Sequence, residues 1–92
     1  MIYNIIVEPE AVQDLIDIKT YISKDSVNIA NSFISELKGK IKSLQEMPQR
    51  CRKSFYTQEE NTYDLIHKKY TIVYKIIHNN VYILTIFRQR AY

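Results

Sequence analysis

Glycine occurs once in the 92 residues, proline twice and cysteine once. With one glycine, no Gly-rich loop is available to cradle a phosphate. The scarcity of Gly and Pro, beside 25% charged residues, also argues against a disordered or repetitive chain. Cys51 has no second cysteine to pair with, so no intrachain disulfide forms, which fits a reducing compartment. As a nucleophile Cys51 would need a base beside it, and the local sequence supplies none. His67 and His78 match no metal-ligand spacing, and neither a metal nor a cofactor is expected. The opening stretch, Met1 to Val7, is followed at once by Glu8, Glu10 and Asp14. It lacks a basic leader and a small-residue cleavage site and is too short to span a bilayer, which predicts a cytoplasmic protein.

What is present is apolar content of 46%, enough for a single domain over residues 1–92 and too little for two. A chain of this size buries only about 60% of its unfolded surface, so a partner covering apolar surface would add to a thin margin. Charge is unevenly spread. Residues 1–49 hold five Lys against seven Asp/Glu, and residues 50–92 hold eight Lys/Arg against three. The basic second half points to an acidic or polyanionic partner: nucleic acid, ribosome or an acidic protein segment. Arg50, Arg52, Lys53, Lys68, Lys69, Arg88 and Arg90 are its candidate partner contacts.

Periodicity organises the rest. Residues 2–7 are apolar and β-branched and predict a strand. Pro9 suits a first helical turn, and Ala11, Leu15, Ile18 and Ile22 form one stripe on a helix from Pro9 to Ser23. Asp25 and Ser26 can cap a second helix whose stripe is Ala30, Phe33, Ile34, Leu37, Ile41, Leu44 and Met47, ended by Pro48. After Pro48 the period changes to two. Thr62–Ile66, Tyr70–His78 and Val81–Arg88 read as strands, with Asn79-Asn80 as hairpin chemistry between the last two. Residues 49–57 fit a strand or a basic loop equally well. The predicted class is α+β, an antiparallel sheet of about four strands in the order βααβββ(β), with an N-terminal helix pair packed on one face. The other face should carry polar and aromatic side chains and is the place to look for function.

The same residues carry a family resemblance. Glu8-Pro9-Glu10-Ala11, then Asp14-Leu15, Ile18 and Tyr21-Ile22, resemble the opening of RelE/ParE toxins. Ala30, Phe33, Leu37, Ile41 and Leu44 up to Met47-Pro48 resemble their second helix and its terminating proline. Tyr70 to Ile76 resembles the central strand, and Val81 to Ile86 leading to Arg88 the last strand and its basic end. The resemblance covers nearly the whole chain. It implies the toxin of a bacterial type II toxin–antitoxin pair, a growth inhibitor neutralised by an antitoxin that wraps it with an extended or helical segment. RelE-like members cleave mRNA in the ribosome, whereas ParE-like members block DNA gyrase.

Metal-free RNA cleavage needs a base, an acid and fixed positive charge at the scissile phosphate. By the resemblance, a basic residue follows the Tyr that opens the central strand, and a Lys precedes that Tyr by six. Here those positions are Thr71 and Asp64. A hydroxyl and a carboxylate cannot replace two cations, so the resemblance favours a ParE-like toxin that acts by binding, gyrase being the implied target. The alternative is a ribosome-dependent endoribonuclease with a rearranged site drawn from Arg88, Arg90, Tyr92 and His67. A third reading is an inactive member that only binds its antitoxin. Plainer roles also exist: His67 as a solvated turn residue, and Tyr63, Tyr70, Tyr74 and Tyr82 as packing rather than base-stacking surfaces.

Overall fold

A computed structural model describes residues 2–57 and 59–89. The sequence passes through β1 (Asn4–Val7), α1 (Pro9–Ser23), α2 (Val27–Ser43), a 3₁₀ turn (Pro48–Arg50), β2 (Arg52–Lys53), β3 (Thr62–His67), β4 (Tyr70–Ile77) and β5 (Asn80–Arg88). This is the expected α+β arrangement, with five strands in the sheet. Pro9 opens α1, where its missing N–H costs nothing. Ser26 Oγ accepts the Ile29 N–H at 3.2 Å and caps α2, as its position suggested.

The sheet order is β1-β5-β4-β3-β2. Strands β2 to β5 form an antiparallel meander, but β1 lies parallel to β5, with Asn4 opposite Asn80 and Val7 opposite Ile83. The sheet is therefore mixed rather than antiparallel throughout. Two helices separate β1 from the meander, so β1 returns to the free edge of β5, not to a sequence neighbour. Beyond Ile83 that edge has no strand beside it, and α1 takes over. Asp14 Oδ2 accepts the Ile86 N–H and the Thr85 hydroxyl, each at 2.8 Å. A helix carboxylate thus satisfies the exposed strand edge.

The core lies between the helix pair and one face of the sheet. Ala11, Ile18, Phe33, Ile34, Leu37, Ile41 and Leu44 pack on Leu65, Ile72, Tyr74, Ile76, Val81, Ile83 and Ile86. Both predicted stripes supply it, except at the end. Helix α2 stops at Ser43, and Met47 is 74% exposed with a left-handed φ of 48°. The chain must reverse there to enter β2. Pro48, itself buried, offers its carbonyl to the Tyr74 hydroxyl, and burial pushes that phenol well above its ordinary pKa.

The hairpin between β4 and β5 also differs by one residue from expectation. Ile77 pairs with Asn80, so His78 and Asn79 form the turn, and His78 takes the positive φ of 54°. Asn80 is held within β5 instead, where its Oδ1 accepts from Asn4 Nδ2 at 3.2 Å. A tertiary contact to β1 outweighs the local preference of Asn for the left-handed region. Among the described residues no helix is long and apolar enough to cross a membrane.

Candidate functional site

The β3–β4 hairpin turns at Lys68 and Lys69, with Lys68 in the left-handed region at φ 56°. That register sets His67 opposite Tyr70, and Tyr70 lies opposite Arg88 on β5. Directly opposed residues in an antiparallel sheet share a face, so His67, Tyr70 and Arg88 form a row across its end. Adjacent strands lie about 4.8 Å apart, which puts the backbones of His67 and Arg88 roughly 10 Å from each other. The row is on the helix side, since the Phe33 ring of α2 meets Tyr70 at 5.1 Å and stacks on His67 at 5.8 Å.

His67 is not a solvated turn residue. Its Nε2 lies 2.9 Å from Glu36 Oε1, and Lys68 Nζ reaches the same oxygen at 3.1 Å. The hydrogen bonds from His67 and then Lys68 hold the Glu36 carboxyl below the usual carboxylate range. Glu36 escaped the sequence reading, although it is the sole acid of α2 and stands among three lysines. A carboxylate alone on a cationic helix was the signal available.

Two depressions flank the row. Toward α1, an apolar groove of about 280 Å³ is lined by Asp17, Ile18, Tyr21, Tyr70 and Arg88. Toward α2, a trough of about 590 Å³ involves Glu36, Gly39, Lys40, Ser43, Arg50 and the Leu65–His67 end of β3. Chemically, the row offers an imidazole oriented by a carboxylate, a phenol and a guanidinium. Two other candidates, Arg90 and Tyr92, lie outside the described residues.

The remaining basic candidates do not converge. Arg50 is exposed, yet its guanidinium is taken up by the end of α2, donating to the carbonyls of Ser43, Glu46 and Met47 and to Ser43 Oγ. Ser43 is the last residue of α2, so this cation sits at the negative end of the helix and ties the following turn to it. Arg52 sits on the opposite sheet face, 3.4 Å from Asp64 Oδ2 and 4.0 Å over the Phe55 ring. Lys53, Lys68 and Lys69 are exposed.

Asp64 and Thr71 belong to that opposite face and are 2% and 0% exposed. Asp64 pairs with Val73 and Thr71 with Ile66, so the two are diagonal neighbours across β3 and β4. Asp64 Oδ2 accepts the Phe55 N–H at 3.2 Å as well as Arg52, and Tyr56 packs edge-on against Phe87 at 4.8 Å. The segment after β2 therefore roofs this face. Beneath it, Asp64 Oδ1 and Thr71 Oγ1 are buried with no hydrogen-bond partner among the described residues. The far face is polar, as anticipated, but it is partly closed. Among the described residues no three His, Cys, Asp or Glu side chains are grouped to hold a metal ion.

The framework of the site is a two-helix layer on one face of a small mixed sheet, with His67, Tyr70 and Arg88 in a row at the sheet's end. A family model for the ParE toxin of type II toxin–antitoxin systems (parDE) matches residues 5–91. The chain belongs to that family and is the toxin component of such a pair. Solved structures agree on the fold. The chromosomal ParDE system of P. aeruginosa superposes with a TM-score of 0.78 at 15% identity, over 97% of this chain and 98% of that one. The RelBE2 toxin–antitoxin complex of Mycobacterium tuberculosis gives 0.64 at 20% identity, covering 97% and 93%. A double arginine-to-alanine mutant of E. coli toxin RelE in the free state gives 0.66 at 17%, covering 96% and 84%. Comparison with curated proteins finds no match.

Proposed function

We propose that this toxin acts by binding an essential target, DNA gyrase, and is silenced by an antitoxin that engages its basic half. One observation carries the reading: Asp64 and Thr71 lie buried on the sheet face opposite His67 and Arg88. A nuclease of the related kind needs cations where these two stand, directed at the same phosphate as the rest of the site. Here those positions are neutral or acidic, roofed, and turned away from the row. Losing one strong transition-state contact costs roughly a hundred- to a thousandfold in rate, and two are missing. Family membership supports the antitoxin, and the net excess of cations in residues 50–92 supports an acidic contact segment.

A second reading, a ribosome-dependent mRNA endoribonuclease, is favoured by the row itself, where Glu36 orients His67 beside Tyr70 and Arg88. Expression of the toxin in cells, with mRNA 5′ ends mapped and gyrase–DNA breaks quantified, separates the two. The binding reading expects growth arrest with intact mRNA, accumulated gyrase–DNA breaks and undiminished toxicity of His67→Ala and Tyr92→Phe. Codon-specific mRNA breaks that vanish in those variants would sink it and establish the nuclease.

A further inference from the structure

The sheet ends in two edge strands, and only one of them is guarded. Both residues of β2, Arg52 and Lys53, are cations, which discourage a further strand from pairing there. At the other edge, β1 and the two residues before it, Ile2 to Val7, hold no charge and no proline. The Asn4 N–H bonds to the Asn79 carbonyl at 2.8 Å and the Glu8 N–H to the Ile83 carbonyl at 2.9 Å. Even-numbered residues of β1 therefore direct their backbone groups toward β5, and Ile5 and Val7 direct theirs outward. No described residue bonds to the outward N–H or C=O of either. The opening closes at one end, where the Gln45 carbonyl takes the Tyr3 N–H at 2.9 Å, and at the other, where Pro9 starts α1.

Ile6 opposes Tyr82, Tyr82 opposes Lys75, and Lys75 opposes Thr62, so Ile6 lies on the face away from the helices. It is 36% exposed, and Ile77, two strands away on the same face, is 40% exposed. The side chains between them, Asn4, Asn80 and Tyr82, are neutral. Lys75 borders this patch, but its ammonium is 3.1 Å from the Glu59 carboxylate. An open backbone edge thus adjoins apolar and neutral side chains that carry no unpaired charge.

We propose that two copies of the toxin pair antiparallel through their β1 strands, about a two-fold axis at Ile6. That register joins Ile5 of one copy to Val7 of the other, so all four open backbone groups of each strand find partners. Ile6 then meets Ile6 of the second copy with Cβ atoms about 5 Å apart, and both lose their exposure. Glu8 falls opposite Asn4 of the other copy, so no like charges face each other. A neutral edge gives a nucleic acid no cation and an acidic segment no counter-charge, whereas a strand with the same open pattern fits it. His67, Tyr70 and Arg88 lie at the far end of β4 and β5 from this contact, so the dimer presents that row twice.

Sedimentation of the full-length toxin over a roughly hundredfold range of concentration should show monomer giving way to dimer. Hydrogen exchange at the Ile5 and Val7 amides should slow roughly tenfold or more as the dimer fills, while Lys53 on the guarded edge keeps its rate. Ile6→Lys sets like charges on the axis. It should keep the melting temperature of the dilute parent, since the side chain is already partly exposed, yet stay monomeric at every concentration. Ile6→Glu should behave alike, and mixing the two variants should restore a dimer, which damage to the fold would not allow. A parent that stays monomeric, Ile6→Lys dimers as stable as the parent's, or no association in the mixture would each overturn the proposal. So would protection of the Ile5 and Val7 amides only in the antitoxin complex, which would assign this edge to the antitoxin instead.

Discussion

The two faces of the sheet are buried by different means. On the helix face Leu37, Ile72, Tyr74 and Ile83 are fully covered, and the Tyr74 hydroxyl, donating to Pro48, has its partner. On the opposite face the fully covered side chains include Thr62, Asp64 and Thr71, under a roof of a few residues after β2. The first is a close-packed apolar core, where burial itself is the driving force. The second is a polar layer, where burial costs free energy unless every polar atom finds a partner. Here Asp64 Oδ1 and Thr71 Oγ1 have none among the described residues. Stability should therefore depend on volume on one face and on hydrogen-bond completeness on the other.

Truncation of the apolar face should have the largest effect. Leu37→Ala, at 0% exposure, should cost about 2–5 kcal/mol, a large part of a small domain's stability. Chemical denaturation of the variant measures it, and a near-wild-type midpoint would mean that the core is not centred on α2.

Paired substitutions on the polar face probe the other half of the comparison. Asp64→Ala strands the Phe55 N–H and releases Arg52, for about 1–3 kcal/mol. Thr71→Val keeps the shape but removes an unpartnered hydroxyl, so its change should be under about 1 kcal/mol and stabilising in sign. If both variants lose stability equally, the Thr71 hydroxyl has a partner and the contrast between the two atoms disappears.

The smallest effect concerns the tie between α2 and the β3–β4 turn. The Glu36 carboxyl is held below its ordinary value of 4.5, so its ionised form is favoured in the folded state. Its contribution is fully present above the unfolded pKa and is lost as pH falls below about 4.5 through the lowered folded value. Melting temperature should drop more between neutral pH and pH 3 for the parent than for Glu36→Gln. Identical drops would show that Glu36 adds nothing to the pH dependence.

Local signals were good guides where one element settles its own structure. Pro9, Ser26 and the three-and-four spacing of the stripes mark α1 and α2, whose apolar residues mostly reach the core. They failed where another element competes. Met47 continues the α2 pattern, but the chain reverses at Pro48 and leaves it outside. Asn79-Asn80 has the chemistry of a turn, but Asn80 is bound to β1 and His78 turns in its place. For the candidate site, charge was legible and pairing was not. Arg50, Arg52 and His67 are distinct residues in the sequence, yet each is already engaged, by the end of α2, by Asp64 and by Glu36.

The sequence by itself determined the α+β class, the two helix stripes, the strand meander and the cationic second half, because each is written in residues close along the chain. It also held Thr71 and Asp64, a hydroxyl and a carboxylate, at the two positions where the family resemblance implies cations. Tertiary structure alone decided that β1 would run parallel to β5, that Asp64 and Thr71 would be roofed on the face away from His67, and that Ile5 and Val7 would stand at an open sheet edge. Those outcomes depend on which distant segments meet, and meeting is governed by the shared burial of apolar surface and the pairing of backbone groups across the whole chain.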